Sequence, residues 1–333
     1  MSSQEVKIAV GSAGSSTGFG AMRALSEAVA RGHMRARLLA CDTNPEELVP
    51  AATEFEFCRV PSAQDPNFVS QAIAVMASRG VTAYYPIHDA EIESAARARD
   101  DFASHGIAIF APDIACIEGV RDKLRMADIL SAFHVPNPET KPLIDAVWQG
   151  AALHVKPRTG VGSVGAFHVE DADSLARHKA RADAAGSIVQ PFIPGVEITL
   201  DVYCPEAGQV AACSCRERLQ VKAGVCTKAR LFKDPGLERL SAQVSAALGL
   251  AGSFCFQVRG NPSDGPDGAD YQVIDVNPRV GGATPMSLAV GLNFAAAHAM
   301  MHLGFDAAPV FKRQASGDLF VTRSFREHVA QAR

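Results

Sequence analysis

Residues 271–282 read Tyr271-Gln-Val-Ile-Asp275-Val-Asn277-Pro-Arg279-Val-Gly281-Gly282, and the segment Asp275–Arg279 decides how the rest of the chain is read. Strand side chains alternate between faces, so a strand ending at Asn277 places Val273, Asp275 and Asn277 on one face and Ile274 and Val276 on the other. A carboxylate and an amide oxygen side by side are hard ligands, suited to Mg²⁺ (or Mn²⁺) rather than Zn²⁺ or Cu²⁺. Pro278 ends the strand, and Arg279 then stands next to the metal as a fixed cation for a phosphate or a carboxylate. Taken alone, the pentapeptide fits equally a strand that stops in a polar turn. The choice rests on whether the chain also supplies a nucleotide site.

Upstream, His154-Val-Lys156-Pro-Arg-Thr159-Gly160-Val-Gly162-Ser163-Val-Gly165 brings a lysine off a strand into a glycine-rich loop. Backbone amides of such a loop can wrap phosphate oxygens while Lys156 neutralises their charge. The lysine precedes the glycines, so this is no Walker A loop, and a hairpin tip with an exposed lysine is the competing reading. Next, Ile188-Val-Gln190-Pro-Phe192-Ile193-Pro-Gly-Val-Glu197 runs from an apolar strand into a segment of exposed backbone. An adenine edge fits the Gln190 side chain and the backbone of Phe192 and Ile193, with Glu197 on the ribose hydroxyls. Glu197–Asp201 otherwise reads as an ordinary amphipathic strand.

The 333 residues leave room for two or three domains and a large core, and 47% hydrophobic with 20% charged residues is ordinary for a globular protein. A formal charge of −4 and the lack of a basic run argue against nucleic-acid binding. The N-terminus leads into a short apolar strand, unlike a signal peptide, and no apolar stretch reaches membrane-spanning length. A cytoplasmic protein is expected. The eight cysteines are scattered without a C-x₂-C pair; Cys213 and Cys215 lie on an alternating strand, so buried reduced thiols are expected.

The first third alternates strand and helix: strand 7–10, the glycine-rich turn Gly11–Gly20, helix 21–31, strand 37–41, strand 57–60, helix 66–79, strand 83–86, helix 91–105 and strand 107–110. The Gly11–Gly20 turn, with Asp42 at the next strand end, also fits loosely a dinucleotide site. A helix over 116–133 follows, and Val135-Pro-Asn-Pro138 marks a boundary. The last part is strand-rich, with helices over 235–248 and 286–303 and a turn-rich connection over 261–270. On the strand after Val210, Arg216 and Arg218 share a face opposite Glu217; one or both serve an acidic substrate, or the face is solvated. His88-Asp89 at a strand end is either a substrate contact or a structural turn.

In this order the elements resemble the ATP-grasp superfamily over essentially the whole chain, most closely its carbamoyl-phosphate-synthase-like and biotin-carboxylase-like branch. The matching positions are Asp122-Lys123, Lys156 with its loop, Gln190 to Glu197, Gln257 within Phe254-Cys-Phe-Gln-Val258, and Asp275–Arg279. The resemblance implies an α/β and α+β protein, an ATP-grasp fold preceded by a doubly wound pre-ATP-grasp α/β domain. The domains would be 1–115, a linking helix and connection over 116–141, a lid over 142–203, and a C-terminal subdomain over 204–333 with the metal and substrate site.

By the same resemblance Lys123 and Lys156 contact ATP phosphates, and Gly162 and Ser163 close over them. Gln257, Asp275 and Asn277 hold Mg²⁺, while Arg279, with Asn277 and Lys156, serves catalysis at the acyl phosphate. His88, Arg216, Arg279, Gly281 and Gly282 are the substrate candidates. One departure stands out: Asp275 stands where the family usually has glutamate; Gln257 in place of a second acid is a variation that the synthase-like branch also shows. The implied activity is ATP-dependent carboxylate–amine (or carboxylate–thiol) ligation through an acyl phosphate, releasing ADP and phosphate. It needs no protein nucleophile, only positioning and charge neutralisation. Small-molecule carboxylate and amine substrates are the expected partners, and a homodimer stays open. The rival readings are an NAD(P)-dependent oxidoreductase and a non-catalytic ATP-binding sensor subunit.

Overall fold

The computed structural model describes residues 6–44, 54–160, 164–222, 224–261, 271–312, 317–324 and 328–329. The chain divides into two compact units, Met1–Ile114 with Arg279–Arg333, and Ala115–Pro278. The sequence boundaries at 115, 141 and 203 are finer than this division. Residues 279–333, grouped from sequence with the metal strand, cluster here with the N-terminal unit.

The first unit opens with β1 (Val6–Val10), α1 (Ser16–Ala30), β2 (Ala36–Asp42), β3 (Glu56–Arg59), α2 (Phe68–Ser78), β4 (Ala83–Tyr85), α3 (Asp89–Arg97), α4 (Arg99–Ser104) and β5 (Ala108–Ile109). The strands are parallel, in the order β3-β2-β1-β4-β5. A parallel sheet covered on both faces needs continuous apolar strands, and Ile8–Val10 and Leu39–Cys41 are fully buried. The strand order reverses between β1 and β4, which puts the topological switch point at their carboxyl ends. The single helix predicted over 91–105 is two helices. Ala98 leaves helical geometry (φ −101°, ψ 23°), and Arg99 then reaches the carbonyls of Ile109, Ala111 and Pro112 at 3.1, 2.7 and 3.1 Å.

The second unit begins in α5 (Ile114–Arg121), followed by α6 (Lys123–Ala132), β6 (Lys141–Pro142), β7 (Leu153–Pro157), β8 (Phe167–Val169), α7 (Ala172–Lys179) and β9 (Ser187–Pro191). The helix predicted over 116–133 is broken at Asp122. Its extended backbone lets the carboxylate accept from the amides of Leu124 and Arg125 at 3.1 and 3.3 Å, starting a fresh helix. Strands β6-β9-β7-β8 form an antiparallel lid sheet. One of its faces, Val155, Val169 and Val189, packs on Leu143, Leu175 and Ala184. Alternation therefore turns Lys156, His154, Gln190 and His168 to the other face.

The chain continues through β10 (Val196–Cys204), β11 (Ala212–Lys222), β12 (Val225–Phe232), α8 (Pro235–Leu248), β13 (Gly252–Gly260) and β14 (Gln272–Asn277). These strands lie in the order β14-β13-β10-β11-β12. Helix α8 has the bounds its sequence announces: Asp234 caps Leu237 N at 3.0 Å, Pro235 opens the first turn, and Gly249 follows the end. Its stripe Leu237, Leu240, Val244 and Leu248 packs on the sheet face formed by Ile198, Leu200, Val202, Phe254, Phe256 and Val258. Full burial of a phenylalanine such as Phe256 contributes roughly 1.5–3 kcal/mol. At Gly195 the entry to β10 crosses β13 so closely that an added Cβ would sit 2.2 Å from the Gly260 carbonyl oxygen, at φ +101°.

Returning to the first unit, the helix predicted over 286–303 divides at Gly291, whose φ of +76° no helix interior accepts. A short 3₁₀ segment, Thr284–Val290, precedes it and α9 (Phe294–His302) follows. Buried Asn293 caps α9 through Ala296 N at 3.0 Å and donates to the Ala24 carbonyl of α1 at 2.7 Å, fixing the two helices together.

Candidate active site

The side chains of Asp275 and Asn277 share a face of β14, and Asn277 Nδ2 donates to Asp275 Oδ2 at 3.2 Å. Gln257 on β13 lies directly opposite Asp275. The expectation for Val273 was wrong. The pairing of β13 with β14 slips between Gln257 and Val258, so Ile274 is an extra residue and Val273 joins Val276 in the core. A bulge resets side-chain alternation by one residue, which a pattern of single residues does not reveal. Among the described residues no three His, Cys, Asp or Glu side chains cluster as metal ligands. The donor set is instead one carboxylate with two amide oxygens, all hard, which fits Mg²⁺.

The bulge also frees a carbonyl. Lys156 Nζ, on the polar face of the lid sheet, donates to the Ile274 carbonyl oxygen at 2.7 Å, beside Asp275. Burial pushes this ammonium down to about 8, and the Asp275 carboxylate partly restores it. Lys123 opens α6 and donates through Nζ to the Gly160 carbonyl at 2.9 Å, so both lysines predicted for phosphates lie around the same loop. Asp122, besides capping α6, takes a forked pair from Arg158 at 2.6–2.9 Å, which holds its carboxyl below the usual range. Gly162 and Ser163 lie outside the described residues.

Gln190 is buried, and its amide donates to Thr140 Oγ1 at 2.8 Å. The Phe192 amide, expected to meet an adenine edge, is taken by the Ala152 carbonyl at 2.9 Å because the lid ladder runs one residue further than its sequence suggests. Ile193 is half-buried just beyond. The Phe192 ring has His168 against it (centroids 4.4 Å apart) and the Arg259 guanidinium over it at 4.9 Å. Burial lowers His154, beside them, to about 4 and leaves it neutral near pH 7.

Glu197 pairs with Arg218 and stands 3.8 Å from Arg259. Arg216, a candidate for an acidic substrate or a solvated face, is 2% exposed and forms an ion pair with Asp201. The solvated-face alternative is thereby corrected for Arg216: its guanidinium is interior. Removing one partner of such a pair leaves a buried charge, at a cost of about 3–5 kcal/mol.

In the first unit, Arg279 Nε donates to Asp89 Oδ1 at 2.6 Å. His88 Nδ1 accepts from the Ala90 amide at 3.2 Å, capping α3 and leaving the ring proton on Nε2. Gly281 N donates to Thr284 Oγ1 at 2.8 Å, and the Gly282 carbonyl accepts from Arg323 at 2.6 Å. Asp42 accepts from Gly14 N at 2.8 Å, so the acid of the dinucleotide reading is bonded to the glycine-rich turn itself. Sequence reasoning missed Arg158 and Glu91. Arg158 lies inside the glycine-rich loop segment, and the His88-Asp-Ala-Glu91 capping box is a signal for Glu91.

A doubly wound α/β unit, an antiparallel lid bearing a buried lysine, and a larger sheet with facing hard-oxygen donors define the ATP-grasp class of fold. Residues 184–319 match the family described as ATP-grasp in the biosynthetic pathway with Ter operon. Among solved structures, the chain is similar to the biotin carboxylase domain dimer of 2-oxoglutarate carboxylase from Hydrogenobacter thermophilus, in complex with MgADP, ADP and bicarbonate (TM-score 0.69, 15% identity, 90% of this chain and 70% of that one). It is also similar to N5-carboxyaminoimidazole synthetase from Staphylococcus aureus complexed with ADP (0.68, 12%, 92% and 80%), and to L-amino acid ligase from Bacillus licheniformis (0.67, 17%, 93% and 77%). No curated protein sequence matches the chain. The chain has the ATP-grasp fold. Among the described residues no helix is long and apolar enough to cross a membrane.

Proposed function

We propose that the protein is an ATP-dependent ligase that activates a small carboxylate as its acyl phosphate and joins it to an amine (or thiol). The observation that carries this is the buried Lys156 ammonium seated on the bulge carbonyl of β14, beside the Asp275–Asn277–Gln257 donor set. A cation at that place is suited to phosphate oxygens. The carboxylate oxygen attacks the γ-phosphorus and ADP leaves; the amine then attacks the acyl carbon, phosphate leaves, and the amine loses a proton. Lys156 and Lys123 neutralise the phosphates, Gln190 and Glu197 orient the nucleoside, and Arg279, two residues beyond Asn277, steadies the carboxylate. Asp275, Asn277 and Gln257 would hold Mg²⁺, which would supply neutralisation of phosphate charge. Two of the similar structures contain ADP, one of them with magnesium. The Hydrogenobacter domain is described as a dimer, and we extend a homodimer to this chain.

The test is a screen of carboxylates with amines for release of ADP and phosphate, followed by two variants. Asp275→Asn removes the charged donor and is expected to lower turnover by roughly two orders of magnitude or more. Asn277→Asp keeps the oxygen, retains part of the activity and shifts the Mg²⁺/Mn²⁺ preference. Both changes are near-isosteric, so melting temperature should move little. Wild-type metal dependence in Asp275→Asn refutes the reading, and ATP binding without ADP release under any carboxylate makes the protein a nucleotide sensor.

A further inference from the structure

Glu91 belongs to neither group of residues above. It sits in the first turn of α3 at 5% exposure, where a carboxylate persists only if its oxygens are bonded. One oxygen accepts from Ser12 N at 3.2 Å; the other accepts from Ile87 N and His88 N at 3.2 and 3.0 Å. A capping box accounts for the His88 bond but not for the bond to Ser12, across from another strand. Ser12 lies in the turn after β1, and Ile87 and His88 lie in the turn after β4. These are the two strands between which the sheet order reverses, the place where open α/β sheets bind their ligands. At Gly11 an added Cβ would come 2.5 Å from Glu91 Oε2, so a glycine stands where the carboxylate reaches across. His88 leads directly into Asp89, which holds Arg279 Nε at 2.6 Å.

We infer that Glu91 is a positioning residue: its buried carboxylate clamps the two crevice turns together so that Asp89 holds Arg279 in one orientation toward the substrate carboxylate. The role of Arg279 in this inference rests on the ligase reading; the clamp itself does not. Burial raises the Glu91 carboxyl above its ordinary range, opposed by the His88 and Ile87 amides, so its charge depends on those amides staying in place.

The test uses the full chain, isotopically labelled for NMR. In the wild type the Ser12, Ile87 and His88 amides exchange slowly, and Arg279 gives a resolved Nε–H signal, identified by its loss in Arg279→Lys. Glu91→Gln replaces one acceptor with an amino group facing amide donors, and the Arg279 Nε–H then exchanges about tenfold or more faster, while Glu91→Asp, one methylene shorter, falls between. With MgATP and whichever carboxylate gives most ADP in the screen, the KM for that carboxylate rises about tenfold in Glu91→Gln while the KM for ATP stays within about twofold. An unchanged Arg279 signal and carboxylate KM in Glu91→Gln overturn the inference. Fast exchange of Ser12 and His88 in the wild type overturns it too, and decides the matter if no Glu91 variant folds. A wild type that releases no ADP with any carboxylate sinks the ligase reading, and the NMR arms still report on the clamp.

Discussion

Lys156 carries its charge at a cost that the nucleotide should relieve. Burial takes its pKa from 10.5 to about 8, because the ammonium loses water and gains a carbonyl and part of a carboxylate in return. Phosphate oxygens at the same place favour the charged form, so proton and nucleotide binding are linked. If only the ammonium binds MgATP, the apparent Kd rises about tenfold between pH 7 and 9. Lys156→Arg, which cannot deprotonate, binds with a flat profile over that range, and Lys156→Ala binds weakly at every pH. Stability runs the opposite way. The folded pKa lies below the unfolded one, so the protein gains stability as pH rises from about 8 toward 10.5. Titrations of MgATP at several pH values on the wild type and both variants check this, and a flat wild-type profile removes Lys156 from the phosphate site.

Between residues and the whole chain, the elements show which parts of the structure a sequence announces. Helix α8 was legible because an Asp-Pro start and a Gly stop bracket its apolar stripe. The break at Asp122 was not, because apolar spacing continues across a single non-helical residue. Asp122 carries two tasks, the cap of α6 and the fork to Arg158. Asp122→Ala is expected to cost about 1–2 kcal/mol, mostly the cap, since a solvent-screened ion pair adds little. Asp122→Asn still caps and costs less. The Arg158-linked share is present above the unfolded carboxyl pKa and fades as pH falls through the lowered folded value. Denaturant titration of both variants at pH 7 separates the terms; equal losses would mean the ion pair, not the cap, dominates. The same limit hid the bulge at Ile274. The sequence showed that Asp275 and Asn277 share a face, because the bulge lies before both, and misplaced Val273, which lies beyond it. Likewise Arg216 could be seen as a cation on a strand, but its burial against Asp201 is a long-range property that strand alternation does not carry.

At the scale of the whole molecule, the division into units assigns the proposed chemistry unevenly. Ala115–Pro278 is one continuous stretch with two apolar clusters of its own, one under the lid sheet and one between α8 and the larger sheet. Every residue proposed for nucleotide or metal lies within it: Lys123, Lys156, Gln190, Glu197, Gln257, Asp275 and Asn277. The first unit is discontinuous and contributes Arg279, His88 and Asp89. A segment with its own core can fold alone, so a fragment of residues 115–278 is expected to melt cooperatively and to bind MgATP. Its Kd should lie within about tenfold of the full chain, because Arg279 is assigned to the carboxylate and not to the nucleotide. The same fragment should release no ADP above background with the carboxylate that activates the full chain. Calorimetry with MgATP, circular-dichroism melting and an ADP assay on the fragment separate the outcomes. A folded fragment that fails to bind MgATP would overturn the assignment of these residues to the nucleotide. A fragment that binds and turns over would show that Arg279 and the switch-point crevice are dispensable for carboxylate activation.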